Sequence, residues 1–167
     1  AQFPAALRQV ALVRLVASFG AGGVLYLTPI VFHQAAFSAQ AVTQGLALAA
    51  LAGTAGRFLS GMLLDRGLAC SIPVLLAATA ALLGDLRLLG TTSFIGYLQG
   101  QLLIGIAAGL YWPAIELAVP LGCRTGAAPI PPARGFALGR SADAAGIATG
   151  ALLGALLAAS GRLRGIY

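Results

Sequence analysis

Between Arg14 and His33 the chain runs from Leu15 to Phe32, eighteen residues, with no charged side chain. At about 1.5 Å per residue, a helix of that length covers about 27 Å, close to the thickness of a bilayer's hydrocarbon core. Gly67 to Gly84 and Leu88 to Ile115 are likewise free of charge. Only 8% of the residues are charged and 59% are hydrophobic. A soluble domain carries about 25% charged residues to cover its surface, so a water-exposed globule is excluded. The runs are continuous rather than alternating, which excludes a transmembrane β-barrel. A signal peptide competes for the first run, but its apolar core would be about 7–15 residues long and a soluble domain would follow. The pattern predicts an all-α membrane protein, a polytopic bundle of transmembrane helices.

Charges, turns and prolines place the helices at about 14–34, 42–64, 69–88, 93–119 and 135–160, in one transmembrane domain over 1–167. Asp65-Arg66-Gly67 is a short turn of the kind that joins antiparallel neighbours. Pro120, Pro129, Pro131 and Pro132, with Arg124 and Arg134, predict a cytoplasmic proline-rich loop over 120–134. The chain opens on Ala1 rather than Met, as a trimmed chain would. It closes on Gly165-Ile166-Tyr167, as if a sixth helix were about to begin.

The net charge is +6, and every one of the ten cationic residues is arginine. Nucleic acid would be one reading of that charge. The arginines instead sit at the ends of apolar runs, which is the pattern that sets membrane orientation. With the amino terminus in the cytoplasm, Arg8, Arg14, Arg57, Arg66, Arg124, Arg134 and Arg140 lie inside, and Arg87, Arg162 and Arg164 outside. Seven against three obeys the positive-inside rule and predicts a multi-pass protein of the plasma (inner) membrane, with no nucleic-acid partner. Cys70 and Cys123 have neither metal-ligand spacing nor a paired framework and read as free thiols.

Glycines recur at four-residue spacing: Gly96 and Gly100, Gly105 and Gly109, then Gly146, Gly150 and Gly154. Such stripes let helices approach closely in lipid. Gly53, Gly56, Ser60 and Gly61 form a similar face on helix 2. Helix 3 is mostly Ala, Leu and Val without a stripe, and is expected at the periphery.

Three stretches resemble the amino-terminal half of a major facilitator superfamily transporter. GMLLDRG, Gly61 to Gly67, is similar to the family's signature between helices 2 and 3; Gly61, Leu63, Asp65 and Arg66 match, while Gly67 comes one place early and Leu68, Ala69 and Cys70 stand where basic residues would. QLLIGIAAGLYWPAI, Gln101 to Ile115, is similar to the family's helix 4 through Gly105, Gly109 and Pro113, with Gln101 where many proton-coupled members have arginine. RGFALGRSADAAGIATGALLGA, Arg134 to Ala155, resembles the opening of helix 5 and then the antiporter motif, with Ala151 for proline and Ala155 for the last glycine. The resemblance implies five helices of a six-helix half, completed by a second half that this chain does not contain.

It also implies roles. Gly61, Asp65 and Arg66 form a gating motif, in which Asp65 holds the inner side closed by pairing with the other half; a solvated turn residue is the plainer reading of Asp65, and a topology anchor that of Arg66. Helices 1 and 4 line the family's central cavity, which makes Tyr26, Gln101, Tyr111 and Trp112 candidate substrate contacts, although rings with a polar tip suit the interfacial belt equally well. Arg57 lies inside an apolar run, where a charge costs about 2.5–3.5 kcal/mol without a partner. A charged layer of Arg57, Glu116, Arg140 and Asp143 near the inner mouth would supply one; separate interface anchors are the alternative. His33, the only histidine, reads as interfacial.

No nucleophile–base pair, phosphate loop or metal-ligand cluster emerges, so no enzyme, cofactor or metal is expected. The partners expected are the bilayer, a small-molecule substrate of unspecified class and the missing second half. The expected function is secondary transport of a small solute by alternating access. A non-transporting membrane scaffold or assembly factor on the same fold is the alternative.

Overall fold

The computed structural model describes residues 3–125 and 129–167. These residues form α1 (Ala5–Gln34), α2 (Ala39–Asp65), α3 (Ser71–Gly90), α4 (Phe94–Cys123), α5 (Pro132–Ala159) and a closing 3-10 turn, Leu163–Ile166. No strand occurs among them, and all five α-helices are long and apolar enough to cross a membrane. The protein is an all-helical, polytopic membrane bundle.

Local chemistry sets the helix ends. Ser38 caps α2 by accepting the Ala41 N–H at 3.1 Å. At the other end Gly67 takes φ +91° and donates to the Leu64 carbonyl at 2.9 Å, while Leu68 N–H reaches the Leu63 carbonyl at 3.1 Å. That pair of bonds is a Schellman cap, which needs a left-handed residue just past the helix. Gly67 follows Arg66 directly because the helix terminates there. Gly161, at φ +73°, closes α5 in the same way, with Arg162 N–H on the Leu157 carbonyl. Pro131 and Pro132 open α5, where a missing N–H is harmless.

The helices depart from the expected limits for identifiable reasons. α1 begins at Ala5 rather than residue 14, because a buried arginine with carboxylate partners need not mark a helix end. α2 starts at Ala39, where Ser38 caps it, and α3 runs from Ser71 to Gly90. α4 continues through Pro120 to Cys123, although the Pro120 nitrogen cannot donate to the Glu116 carbonyl one turn back. α5 begins at Pro132 and ends at Ala159. The expected loop over 120–134 therefore shrinks to 124–131, of which 126–128 lie outside the described residues.

The chain divides into two compact units, Ala1–Thr28 with Ile115–Ile166, and Pro29–Ala114 with Tyr167. In the first unit, α1 and α5 pack through glycine. A Cβ on Gly22 would fall 2.6 Å from the Ile147 carbonyl oxygen, and one on Gly150 would overlap the Phe19 carbonyl oxygen. Leu7, Val119 and Cys123 form a small buried core beside this seam. The 3-10 turn lays Ile166 against Gly23 and Gly154.

The second unit has its own glycine seam, between α2 and α4. A Cβ on Gly56 would lie 3.1 Å from the Gly109 Cα, and one on Gly109 would lie 2.7 Å from the Gly53 carbonyl oxygen. Phe32, Phe37 and Tyr97 cluster near its end, with ring centroids 4.3 to 5.6 Å apart. The buried Tyr97 hydroxyl donates to the Val42 carbonyl at 2.8 Å. α3 packs on α4 through Gly84 and Leu88, and exposes Leu75, Leu76, Leu82, Leu83 and Leu86. Exposed apolar side chains of this kind occur on the other helices too, so they do not single out α3 as the peripheral one.

Candidate functional site

The first unit holds an ion cluster built on a fully buried arginine. Arg14 of α1 is 0% exposed. Its Nε donates to both Asp143 carboxylate oxygens, at 3.2 and 3.1 Å, and its Nη2 donates to Asp143 Oδ2 as well. The same Nη2 donates to Glu116 Oε1 at 3.1 Å. Ser18 Oγ, one turn along α1, donates to Asp143 Oδ1 at 3.0 Å. Arg140 Nη2 approaches Glu116 Oε1 at 3.2 Å, so that single oxygen serves two guanidinium groups.

Helical spacing explains the convergence. Arg14 and Ser18 are four apart and share a face of α1. Gly139 on α5 leaves room for the Arg14 side chain: a Cβ there would lie 3.1 Å from Arg14 Nε. Arg14 and Asp143 sit about 13 and 16 Å from the ends of their helices at 1.5 Å per residue. Helices of 30 and 28 residues centred on a hydrocarbon core would exceed it by about 6–8 Å at each end, which would place both groups inside the apolar layer.

Two guanidinium groups and two carboxylates sum to zero charge. Neutrality lets the cluster persist there, because a lone charge would face the full desolvation penalty. Burial is uneven. The side chains of Arg14 and Asp143 are 1% and 8% exposed, those of Glu116 and Arg140 30% and 66%. The core is a buried Arg14–Asp143 pair, and the rim is the more open Glu116–Arg140 pair.

Three members of the expected charged layer, Glu116, Arg140 and Asp143, thus come together. Arg57 belongs to the second unit, where it is exposed on α2, and the buried cation of the cluster is Arg14. Arg140 and Asp143, three apart on α5, do not pair with each other as their spacing suggested, because Arg14 takes Asp143 with two nitrogens and leaves Arg140 to Glu116. Arg14 and Ser18 went unassigned in the sequence because a helix starting at residue 14 leaves Arg14 at the interface. The apolar residues around Arg8, from Ala5 to Val13, were the signal that α1 begins earlier.

The other candidate residues stand elsewhere. Asp65 ends α2 and is exposed, as is Arg66, its C-cap. A Cβ on Gly61 would meet nothing within 4 Å. Tyr26 is exposed on α1 in the first unit. Gln101, Tyr111 and Trp112 belong to the second unit; Gln101 is buried, and Tyr111 and Trp112 stack edge to face at 5.2 Å. Gln101 and Tyr111 are about 15 Å apart along α4. Gln99 faces a different partner, accepting the Arg87 Nε–H at 3.0 Å.

Cys70 and Cys123 are free thiols, and burial pushes the Cys70 thiol pKa up. No group of three or more His, Cys, Asp and Glu side chains gathers among the described residues. Comparison of the chain with protein-family models, with curated proteins and with solved structures finds no match.

Proposed function

We propose that this chain is part of a secondary active transporter of a small solute, similar to the amino-terminal half of a major facilitator superfamily protein. A second helix bundle completes the cavity, and alternating access exposes a midplane site to each side in turn. The observation that carries this reading is the neutral Arg14–Asp143–Glu116–Arg140 cluster joining three membrane-spanning helices. Ionisable groups at such depth mark ion and substrate pathways more often than they stabilise a fold. The three motif stretches and the glycine seams support the same reading. In it the amino terminus is cytoplasmic, the membrane is the plasma (inner) membrane, the Asp65 turn faces the second bundle, and the protein catalyses no covalent chemistry.

Flux of labelled solutes into proteoliposomes containing the complete protein tests the proposal, with Asp65→Asn and Asp143→Asn as variants. Solute flux that both substitutions reduce is expected. A folded protein that moves no solute from a broad panel would leave a membrane scaffold as the function.

A further inference from the structure

Beyond its close contacts, the seam between α1 and α5 widens into a groove of about 120 Å³. Phe19, Gly20 and Gly23 of α1 line it, with Leu153 and Leu157 of α5 and Ile166 of the closing 3-10 turn. The glycines make the space by withholding side chains: a Cβ on Gly20 would meet nothing within 4 Å. Phe19 and Leu153 are 40% and 44% exposed, so the groove opens on the surface of the bundle. Its walls are apolar side chains and glycine. Such a space stays dry and takes up hydrocarbon, as apolar cavities of this size do. Around a membrane-spanning bundle, that hydrocarbon is lipid acyl chain.

An apolar groove alone selects no particular lipid; charge beside it does. α5 ends at Ala159, and two arginines follow it, Arg162 and Arg164. Arg162 N–H donates to the carbonyl of Leu157, a groove residue, at 2.8 Å, and Gly165 N–H donates to the Arg162 carbonyl at 2.8 Å. The turn that carries the arginines is thus bonded to the groove wall. Arg162 is exposed, and among the described residues it has no ion-pair partner. Neither α1 nor the stretch 144–167 contains an acidic residue, so the charge at this end of α5 is positive. Along α5 the apolar groove comes first and the cations stand just past the helix end. A phospholipid has the same order, acyl chain and then phosphate. A guanidinium binds phosphate oxygens through its planar fork of donors. We propose that the groove is a binding site for one anionic phospholipid, with an acyl chain against Gly20, Gly23 and Leu153 and the phosphate on Arg162. The site goes beyond the transport reading and requires only that the bundle spans a bilayer.

Photo-crosslinking of the complete protein in phosphatidylcholine nanodiscs tests the site. The discs carry a trace of phosphatidylglycerol or of phosphatidylcholine with a diazirine in the acyl chain, and labelled peptides are identified by mass spectrometry. The phosphatidylglycerol probe is expected to label residues 19–23 and 153–157 about fivefold more than the phosphatidylcholine probe, the preference that one basic residue near the membrane surface confers. Arg162→Gln is expected to abolish that preference and Arg162→Lys to keep most of it. Gly20→Leu fills the groove and is expected to reduce labelling there by both probes, with labelling of the exposed Leu75 and Leu82 on α3 unchanged. Equal labelling of the wild-type groove by both probes would mark ordinary boundary lipid and overturn the proposal. So would a preference that survives Arg162→Gln, or groove labelling that Gly20→Leu leaves intact. Absence of label at the groove in the wild type, meaning that protein covers it, would overturn it as well. If Gly20→Leu does not fold, Arg162→Gln, a change at an exposed side chain, still decides.

Discussion

Arg14 of α1 and Asp143 of α5, 129 residues apart in sequence, are joined by Arg14 Nε donating to both carboxylate oxygens at 3.2 and 3.1 Å. Breaking such a pair from one side leaves an uncompensated buried charge, which costs about 3–5 kcal/mol. Arg14→Met is therefore expected to destabilise by about that amount, while Arg14→Met with Asp143→Leu recovers most of the loss because no lone charge remains. Unfolding in mixed detergent, run as a double-mutant cycle, measures both. A double variant no more stable than the single one would show that the pair does not couple α1 to α5.

Arg140 provides the contrast on the same carboxylate network. Its side chain is 66% exposed, so its pair with Glu116 is worth about 1 kcal/mol or less. Arg140→Gln is expected to leave the unfolding midpoint nearly unchanged, in the same assay in which Arg14→Met lowers it strongly. Equal losses from the two substitutions would mean that the cluster has no buried core and open rim.

Close helix contact makes a second kind of prediction. A methyl at Gly150 would overlap the Phe19 carbonyl oxygen, and backbone on both sides of the seam cannot yield without separating α1 from α5. Gly150→Ala is expected to destabilise by about 1–3 kcal/mol, the usual range for overpacking. Gly61→Ala, where a Cβ meets nothing within 4 Å, is expected to be neutral or slightly stabilising in this chain. Thermal unfolding of the two variants side by side separates a packing glycine from an open one.

The sequence made the number of spans and the glycine seams legible, because hydropathy and small-residue spacing are properties of single helices. Gly53, Gly56, Gly105 and Gly109 meet in one seam, and Gly146, Gly150 and Gly154 line another, each from a pattern visible before folding. The cluster was half legible. Glu116, Arg140 and Asp143 stand out as charges in apolar surroundings, whereas Arg14, the cation they enclose, reads in the sequence as an interface anchor before the first apolar run. Which helix supplies a partner depends on tertiary packing, and no local spacing encodes it. Proline misled in the same way at α4, where Pro120 is read as a stop in isolation and is tolerated near the end of a packed helix.

Ala36 occupies a position that glycine would fill with less strain. It has φ 65°, and follows α1 with the hydrogen bonds of a Schellman cap, Phe37 N–H to the Phe32 carbonyl at 3.0 Å and Ala36 N–H to the His33 carbonyl at 3.1 Å. A left-handed alanine costs about 1–2 kcal/mol, part of which glycine returns as unfolded-state entropy. Ala36→Gly is expected to stabilise the protein by up to about 1 kcal/mol, read as a rise in unfolding midpoint. A fall would show that the Ala36 methyl makes contacts worth more than the backbone strain.

The sign of a pH effect can be worked out for Cys70, in the turn before α3. Burial raises its pKa, so the folded protein disfavours the thiolate. The unfolded chain then releases the proton at lower pH than the folded one, and the stability tied to the neutral thiol declines as pH rises above the ordinary thiol range, near about 8.5. Cys70→Ser is expected to flatten that alkaline decline. Maleimide, which attacks the thiolate, should label Cys70 in folded protein more slowly than in denatured protein at the same pH. Cys123 is 1% exposed in the core with Leu7 and Val119, and should label only as fast as that core opens. Labelling of Cys70 at the denatured rate would show that the turn does not bury its thiol.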